Sequence, residues 1–136
     1  MSQPLPYKLQ RLGNLFVVPA TIGGKQGMYS RERLLLDTGA SWTLVPHASL
    51  TRLGLEVKAV RRTIPLHTAN GVIAAPLMRV AWLNCFGQLL KDVTVIVHTI
   101  DHMGFDGVLG MDVMTALGLV IDVPKAEVTC KRKQKN

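Results

Sequence analysis

Asp37-Thr38-Gly39-Ala40-Ser41 is the run of this sequence best suited to chemistry. It follows Leu34-Leu35-Leu36 and leads into Thr43-Leu44-Val45. A carboxylate therefore stands at the end of an apolar strand, beside a small residue and a glycine. Burying a charge costs free energy unless something uses or satisfies it. The backbone amides of Gly39 and Ala40 are expected to bond the Asp37 carboxylate. Facing a second carboxylate, such a group does acid–base work on a water molecule. One member of the pair takes a proton from the water, and the other, protonated, polarises a carbonyl. The competing reading of Asp37 is a structural turn residue satisfied by local amides alone.

Other chemistries fit less well. Among His47, His67, His98 and His102, only His98 and His102 are close in sequence. A histidine pair four residues apart binds zinc on a helix, but Asp101-His102-Met103-Gly104 reads as a loop. No metal and no cofactor are expected. Ser41 lacks the Gly-x-Ser-x-Gly elbow of serine hydrolases. Cys85 and Cys130 are too few for a disulfide framework and read as two reduced thiols, with a bridge between two copies of Cys130 as the lesser alternative.

The elements that must position Asp37 are mostly strands. Leu15 to Ile22 is apolar and β-branched, Gly23 to Gly27 is a turn, and Met28 to Leu36 returns as the strand that delivers Asp37. Thr43 to Val45 is a short buried strand stopped by Pro46, and His47 to Leu53 suits one or two helical turns ended by Gly54. Val57 to Thr68 and Val72 to Trp82 flank Ala69-Asn70-Gly71, where Asn-Gly is a strong hairpin signal because both residues tolerate positive φ. Leu83 to Gly87 turns the chain, and Gln88 to His98 is a further strand. After a loop over His102 to Gly107, Asp112 to Leu117 reads as a short helix with Gly118 behind it. Leu119 to Asp122 and Glu127 to Cys130 complete the strands. Many short strands with one late helix argue for an all-β barrel or sandwich.

At 136 residues and 48% apolar, the chain is expected to form one globular domain. No stretch is long and apolar enough for a membrane-spanning helix. The opening Met1-Ser2-Gln3-Pro4-Leu5-Pro6 has no basic-then-apolar pattern, so no secretory signal is seen and a cytoplasmic location is expected. Much of the net charge of +7 is local, with Lys131, Arg132, Lys133 and Lys135 crowding the tail. A basic β domain that binds nucleic acid would rest on that tail alone. Arg31/Arg33 and Arg61/Arg62 lack interleaved aromatics, so stacking platforms are not evident and nucleic acid is not expected as a partner.

Leu35 to Ser41 resembles the active-site signature of the retropepsin-like (retroviral-type) aspartic proteases. A second motif agrees with it. Val108-Leu109-Gly110, followed by Met111-Asp112-Val113-Met114, resembles the apolar-apolar-Gly and short helix near the end of each such subunit. The motifs stand 73 positions apart (110 minus 37), in the family's order. The resemblance covers roughly residues 14 to 130. It divides the chain into an extended arm over 1–13, a protease domain over 14–130 and a basic tail over 131–136.

The resemblance implies an all-β, retropepsin-like closed barrel with one short C-terminal helix, forming half of a two-fold dimer. Only Asp37 lies in an Asp-Thr-Gly context, so one chain holds half a site and a homodimer supplies the second Asp37. The implied activity is endopeptidase, with a peptide or protein as substrate. Its alternative is a catalytically silent dimeric peptide-binding module on the same fold. Thr38 would bond across the dimer axis, and Gly39 would admit substrate backbone. Ala40 stands where pepsin-like relatives often carry a serine that bonds the carboxylate. Ser41, Trp42 and Met111 replace the acidic residues and the arginine of many viral members, so that ion-pair network is not expected. The hairpin at Ala69, Asn70 and Gly71 would be a flap closing over substrate. Trp42, Val108 and Leu109 are candidates to line the substrate pocket. The arm and the strand from Glu127 to Cys130 are candidates for the dimer interface.

Overall fold

Side chains alternate across a strand, and β4 (Tyr29–Leu36) turns Ser30, Glu32 and Leu34 inward while Tyr29, Arg31 and Arg33 face out. The computed structural model describes residues 5–56, 62–102 and 104–132. Antiparallel to β4 runs β3 (Leu15–Gly23), with Val17 opposite Leu35 and Gly23 opposite Tyr29. A 3-10 turn at Lys25–Gly27 joins them. On its other side β3 pairs first with β2 (Gln10–Leu12) and then, through Thr21 to Gly23, with the far end of β7 (Gly71–Cys85).

The remaining strands of this sheet are β5 (Leu44–Val45), β6 (Thr63–Thr68), β8 (Gln88–Val97) and β9 (Gly107–Leu109). Their order is β2-β3-β4-β9-β5-β8-β7-β6, and the extra β3–β7 pairing brings the sheet back onto itself. Val18, Ile22, Leu34, Val45, Val80, Leu83, Val95 and Leu109 fill the interior of this curl. The pairing that matters most for function is β4 with β9. It is parallel, with Leu36 beside Leu109, so the chain leaves both strands at the same end.

Two α-helices flank the sheet: α1 (His47–Arg52) and α2 (Met111–Leu117). The single late helix expected of the fold is thus joined by an earlier one, which the run from His47 to Leu53 had indicated. Helix α1 is tied to β4 by a buried cluster. Glu32 Oε1 accepts from Ser30 Oγ at 2.7 Å and from Ser49 Oγ, and Arg52 lies 3.9 Å away. Helix α2 ends on Gly118 in the left-handed region.

A second sheet has the order β1-β11-β10, from β1 (Tyr7–Lys8), β11 (Glu127–Cys130) and β10 (Leu119–Asp122). Strand β11 is its middle member, bonded to β10 on one side and to the arm on the other. Strand β10 pairs with β11 along its whole length, whereas β1 reaches only Glu127 and Val128 on the other side.

Two turns depart from the sequence reading. In the β6–β7 hairpin Thr68 lies opposite Gly71, so the loop is Ala69-Asn70. Positive φ falls on Gly71 (+112°) and not on Asn70. Thr68 Oγ1 closes the turn by donating to Gly71 O at 2.7 Å and accepting from Asn70 N at 3.2 Å. At the other end, β7 runs on through Leu83 to Cys85 and turns at Phe86-Gly87, both with positive φ. A phenylalanine is unusual there, and packing explains it. Phe86 is buried against Tyr7, edge to face at 6.2 Å between ring centroids. The expected strand over Val57 to Thr68 is found from Thr63, and its part at 57–61 lies outside the described residues, as do 1–4 of the arm and 133–136 of the tail.

Candidate functional site

Asp37 stands one residue past β4, and its backbone amide extends the parallel ladder by donating to Leu109 O at 3.2 Å. Gly39 N donates to Asp37 Oδ1 at 2.9 Å, which orients the carboxylate. Ala40 N bonds the backbone carbonyl of Asp37 instead, at 3.1 Å, closing the turn. Of the two amides expected on the carboxylate, one is there, and the other fixes the loop that carries it. Asp37 is half-buried, while Thr38 and Gly39 are exposed.

The segment after β9 clamps this loop. Met111 N donates to Ala40 O at 2.8 Å, and Asp112 N to Ser41 O at 3.3 Å. Thr43 donates twice to the Asp112 carboxylate, from its amide to Oδ2 at 3.1 Å and from Oγ1 to Oδ1 at 2.9 Å. Gly110 N in turn donates to Thr43 Oγ1 at 3.1 Å. Backbone approach is close enough that a Cβ on Gly110 would lie 2.6 Å from the Trp42 carbonyl. The two sequence motifs are thus one physical unit. Thr43 and Asp112 hold it together where an acidic-residue–arginine network was not expected. Neither was singled out for this role in the sequence, although a fully buried threonine in an apolar run needs a polar partner.

Beside the loop lies a groove of about 650 Å³. Asp37, Gly39, Ala40, Ser41 and Trp42 line one side of it, and Ile64, Pro65, Leu66 and His67 of β6 the other. Leu44, Ile96 and Val108 complete the lining. Asp37 is the one carboxylate among these described residues, and His67 the one other ionisable group.

Of the pocket candidates, Trp42 and Val108 line the groove. Leu109 does not; it is fully buried in the core cluster, as the alternation of β9 requires. The hairpin tip, Ala69, Asn70 and Gly71, is exposed and stands off the groove, whereas the strand leading to it forms the wall. Thr38 faces away, into a separate hollow shared with α2 and β10. The apolar contributors Leu44, Ile64, Leu66 and Ile96 were not anticipated, because only the folded sheet brings β5, β6 and β8 to the Asp37 loop.

Neither cysteine competes as a nucleophile. Burial pushes the Cys85 thiol up to about 12, with the nearby Cys130 adding to the effect. Cys130 is raised as well, by burial, against an opposing pull from Arg132. Among the described residues no cluster of three or more potential metal ligands occurs, and no helix is long and apolar enough to cross a membrane.

A family model described as aspartyl protease matches residues 18–113 of the chain, which span both motifs. Among solved structures, the chain is similar to the crystal structure of a retropepsin-like aspartic protease from Rickettsia conorii. The identity is 20%, the TM-score is 0.69, and 96% of each chain is covered. No curated protein sequence matches it significantly.

Proposed function

Since the chain belongs to the aspartyl protease family and has the retropepsin-like fold, we propose that it is an endopeptidase whose active unit is a homodimer with one Asp37 from each subunit. The observation that carries this reading is the single carboxylate of the groove. Asp112 is engaged with Thr43, and Asp106 accepts from Arg33 N at 2.8 Å. Neither lines the groove, so the second carboxylate comes from another copy.

In the proposed reaction a water between the two carboxylates attacks the scissile carbonyl carbon. The ionised Asp37 takes the water proton, and the protonated one gives its proton to the carbonyl oxygen. The tetrahedral intermediate then collapses, and the leaving amine nitrogen receives a proton. Paired carboxylates are a well-established arrangement for this chemistry. Gly39 N keeps its bond to Asp37 Oδ1, which leaves the other oxygen for the water. Leu44, Ile64, Ile96 and Val108, with Trp42 at the rim, suit large apolar side chains next to the cleaved bond. The β6–β7 hairpin is the flap, and an extended peptide would pair with backbone beneath it.

The test is cleavage of a peptide library by the purified chain and by Asp37→Asn. Cleavage by the wild type alone supports the reading. Binding of peptides by both, with cleavage by neither, would identify a silent peptide-binding module instead.

A further inference from the structure

Strand β3 is not paired along the whole of the edge that faces away from β4. Val17 lies opposite Gln10 of β2, and Thr21 opposite Asn84 of β7. Between them Pro19 has no ladder partner on that side. Its partner on the other side is Arg33, whose backbone N–H donates to Asp106 Oδ2 and whose carbonyl accepts from Asp106 N. Pro19 and Arg33 are therefore a non-bonded pair, and the backbone of Pro19 points into the gap. A proline leaves no N–H unsatisfied there. The gap opens into a second groove, of about 510 Å³, which shares no residue with the one beside Asp37.

Three basic residues line this groove: Lys8, Arg31 and Arg33. Its one acidic residue, Glu32, is 3% exposed, and its side chain lies on the opposite face of β4, bonded to Ser49 of α1. Lys8 is matched by Glu127 at 3.1 Å. Arg33 has the neutral Gln10, with Nη2 donating to Oε1 at 3.4 Å. The Arg31 side chain meets no hydrogen-bond or ion-pair partner among the described residues. Two guanidinium charges thus border one groove without a carboxylate to balance them. Alternation puts both on the outer face of β4, two residues and about 6.6 Å apart. Thr21, opposite Arg31, and Asn84 add half-buried polar groups to the lining. Tyr7, held edge to face on Phe86, adds an aromatic wall.

We propose that this groove is a docking site for an extended acidic segment of a protein, with carboxylates at alternate positions. An extended peptide repeats its side chains on one face every two residues, the same spacing as Arg31 and Arg33. A Glu-x-Glu segment lying along β4 therefore sets one carboxylate on each guanidinium, whose planar fork bonds both carboxylate oxygens. The net charge of +7 draws such a segment in, and the paired arginines select its spacing. Arg33 precedes Asp37 by four extended residues, about 13 Å of chain. Within the endopeptidase reading, on which this last step rests, the docked segment is a part of the substrate remote from the cleaved bond.

The test uses the Asp37→Asn chain, so that binding is read apart from cleavage. Two fluorescein-labelled peptides share one composition of Glu and Ser; Glu recurs at every second position in one and at every third in the other. Both are titrated by fluorescence anisotropy at low salt, where screening is weak. The first peptide is expected to bind more tightly. Arg31→Gln with Arg33→Gln is expected to weaken it roughly fivefold or more, with the thermal transition unchanged. Lys25→Gln with Lys91→Gln removes the same charge from two exposed positions outside the groove, and should leave most of that affinity. Equal weakening by the two pairs, or equal affinity for the two peptides, would reduce the effect to net charge and overturn the site, as would no binding at all. A single-stranded oligonucleotide that bound more tightly, through the same arginines, would overturn the peptide in favour of nucleic acid. The endopeptidase reading fails separately, if the wild type cleaves no peptide.

Discussion

Asp37 is held by two kinds of bond: Gly39 N to its carboxylate and its own amide to Leu109 O. Replacing Asp37 with Asn keeps the size of the side chain and removes the base, so proteolysis should vanish while the thermal transition stays in place. Cleavage at the wild-type rate by that variant, free of contaminants, would show the assignment to be wrong. Ala40 stands three positions after Asp37 and has no hydroxyl to offer its carboxylate. Ala40→Ser adds a donor that stabilises the ionised form. A pH–rate profile should then show the optimum moving to lower pH; movement upward would contradict this role for the position. The carboxylate and its glycine were legible in the sequence because the chemistry fixes residue type and spacing locally. The split roles of Val108 and Leu109 were not. Two adjacent apolar residues look alike until the pleat sends one to the groove and the other to the core. Leu109→Ala should accordingly cost about 2–5 kcal/mol of stability, read by denaturant unfolding. Val108→Ala should instead act mainly on KM for substrates with large apolar side chains.

Between elements, the parallel pairing of β4 and β9 sets Asp37 beside Gly110, and Thr43 and Asp112 lock the junction. Thr43→Val removes the hydroxyl from both of its bonds and leaves Asp112 half-buried with one fewer donor. The cost should be about 1–3 kcal/mol, with a fall in kcat, since the loop that aims Asp37 loosens. An unchanged kcat in the folded variant would show that the lock serves stability alone. The hairpin makes a different prediction. Gly71 holds φ at +112° with open space around it, so a side chain there is strained by its backbone and not by collision. Gly71→Val should lower turnover far more than stability, which kinetics and thermal melting on one preparation would separate. Strands β3, β4, β10 and β11 were legible to within a residue or so, because turn residues bracket runs of apolar and β-branched side chains. The Phe86-Gly87 turn was placed too early. Its signal is a contact with Tyr7, 79 positions away (86 minus 7), and no local rule carries that.

For the whole molecule, the family is readable from two short motifs, and the two-subunit site is our proposal built on them. On that proposal, the one Asp-Thr-Gly of each chain calls for a second copy. The sheet order, with β11 between β1 and β10, emerges only in the fold, because strand runs in the sequence do not say which edges meet. The central claim is that each active site takes one Asp37 from each of two subunits. Mixing wild type with Asp37→Asn at constant total protein, after time for exchange, tests it directly. If the site is shared, activity follows the square of the wild-type fraction, and an equimolar mixture keeps about a quarter of the full rate. Activity proportional to the wild-type fraction, with about half the rate in that mixture, would mean that each chain works alone and would contradict the account.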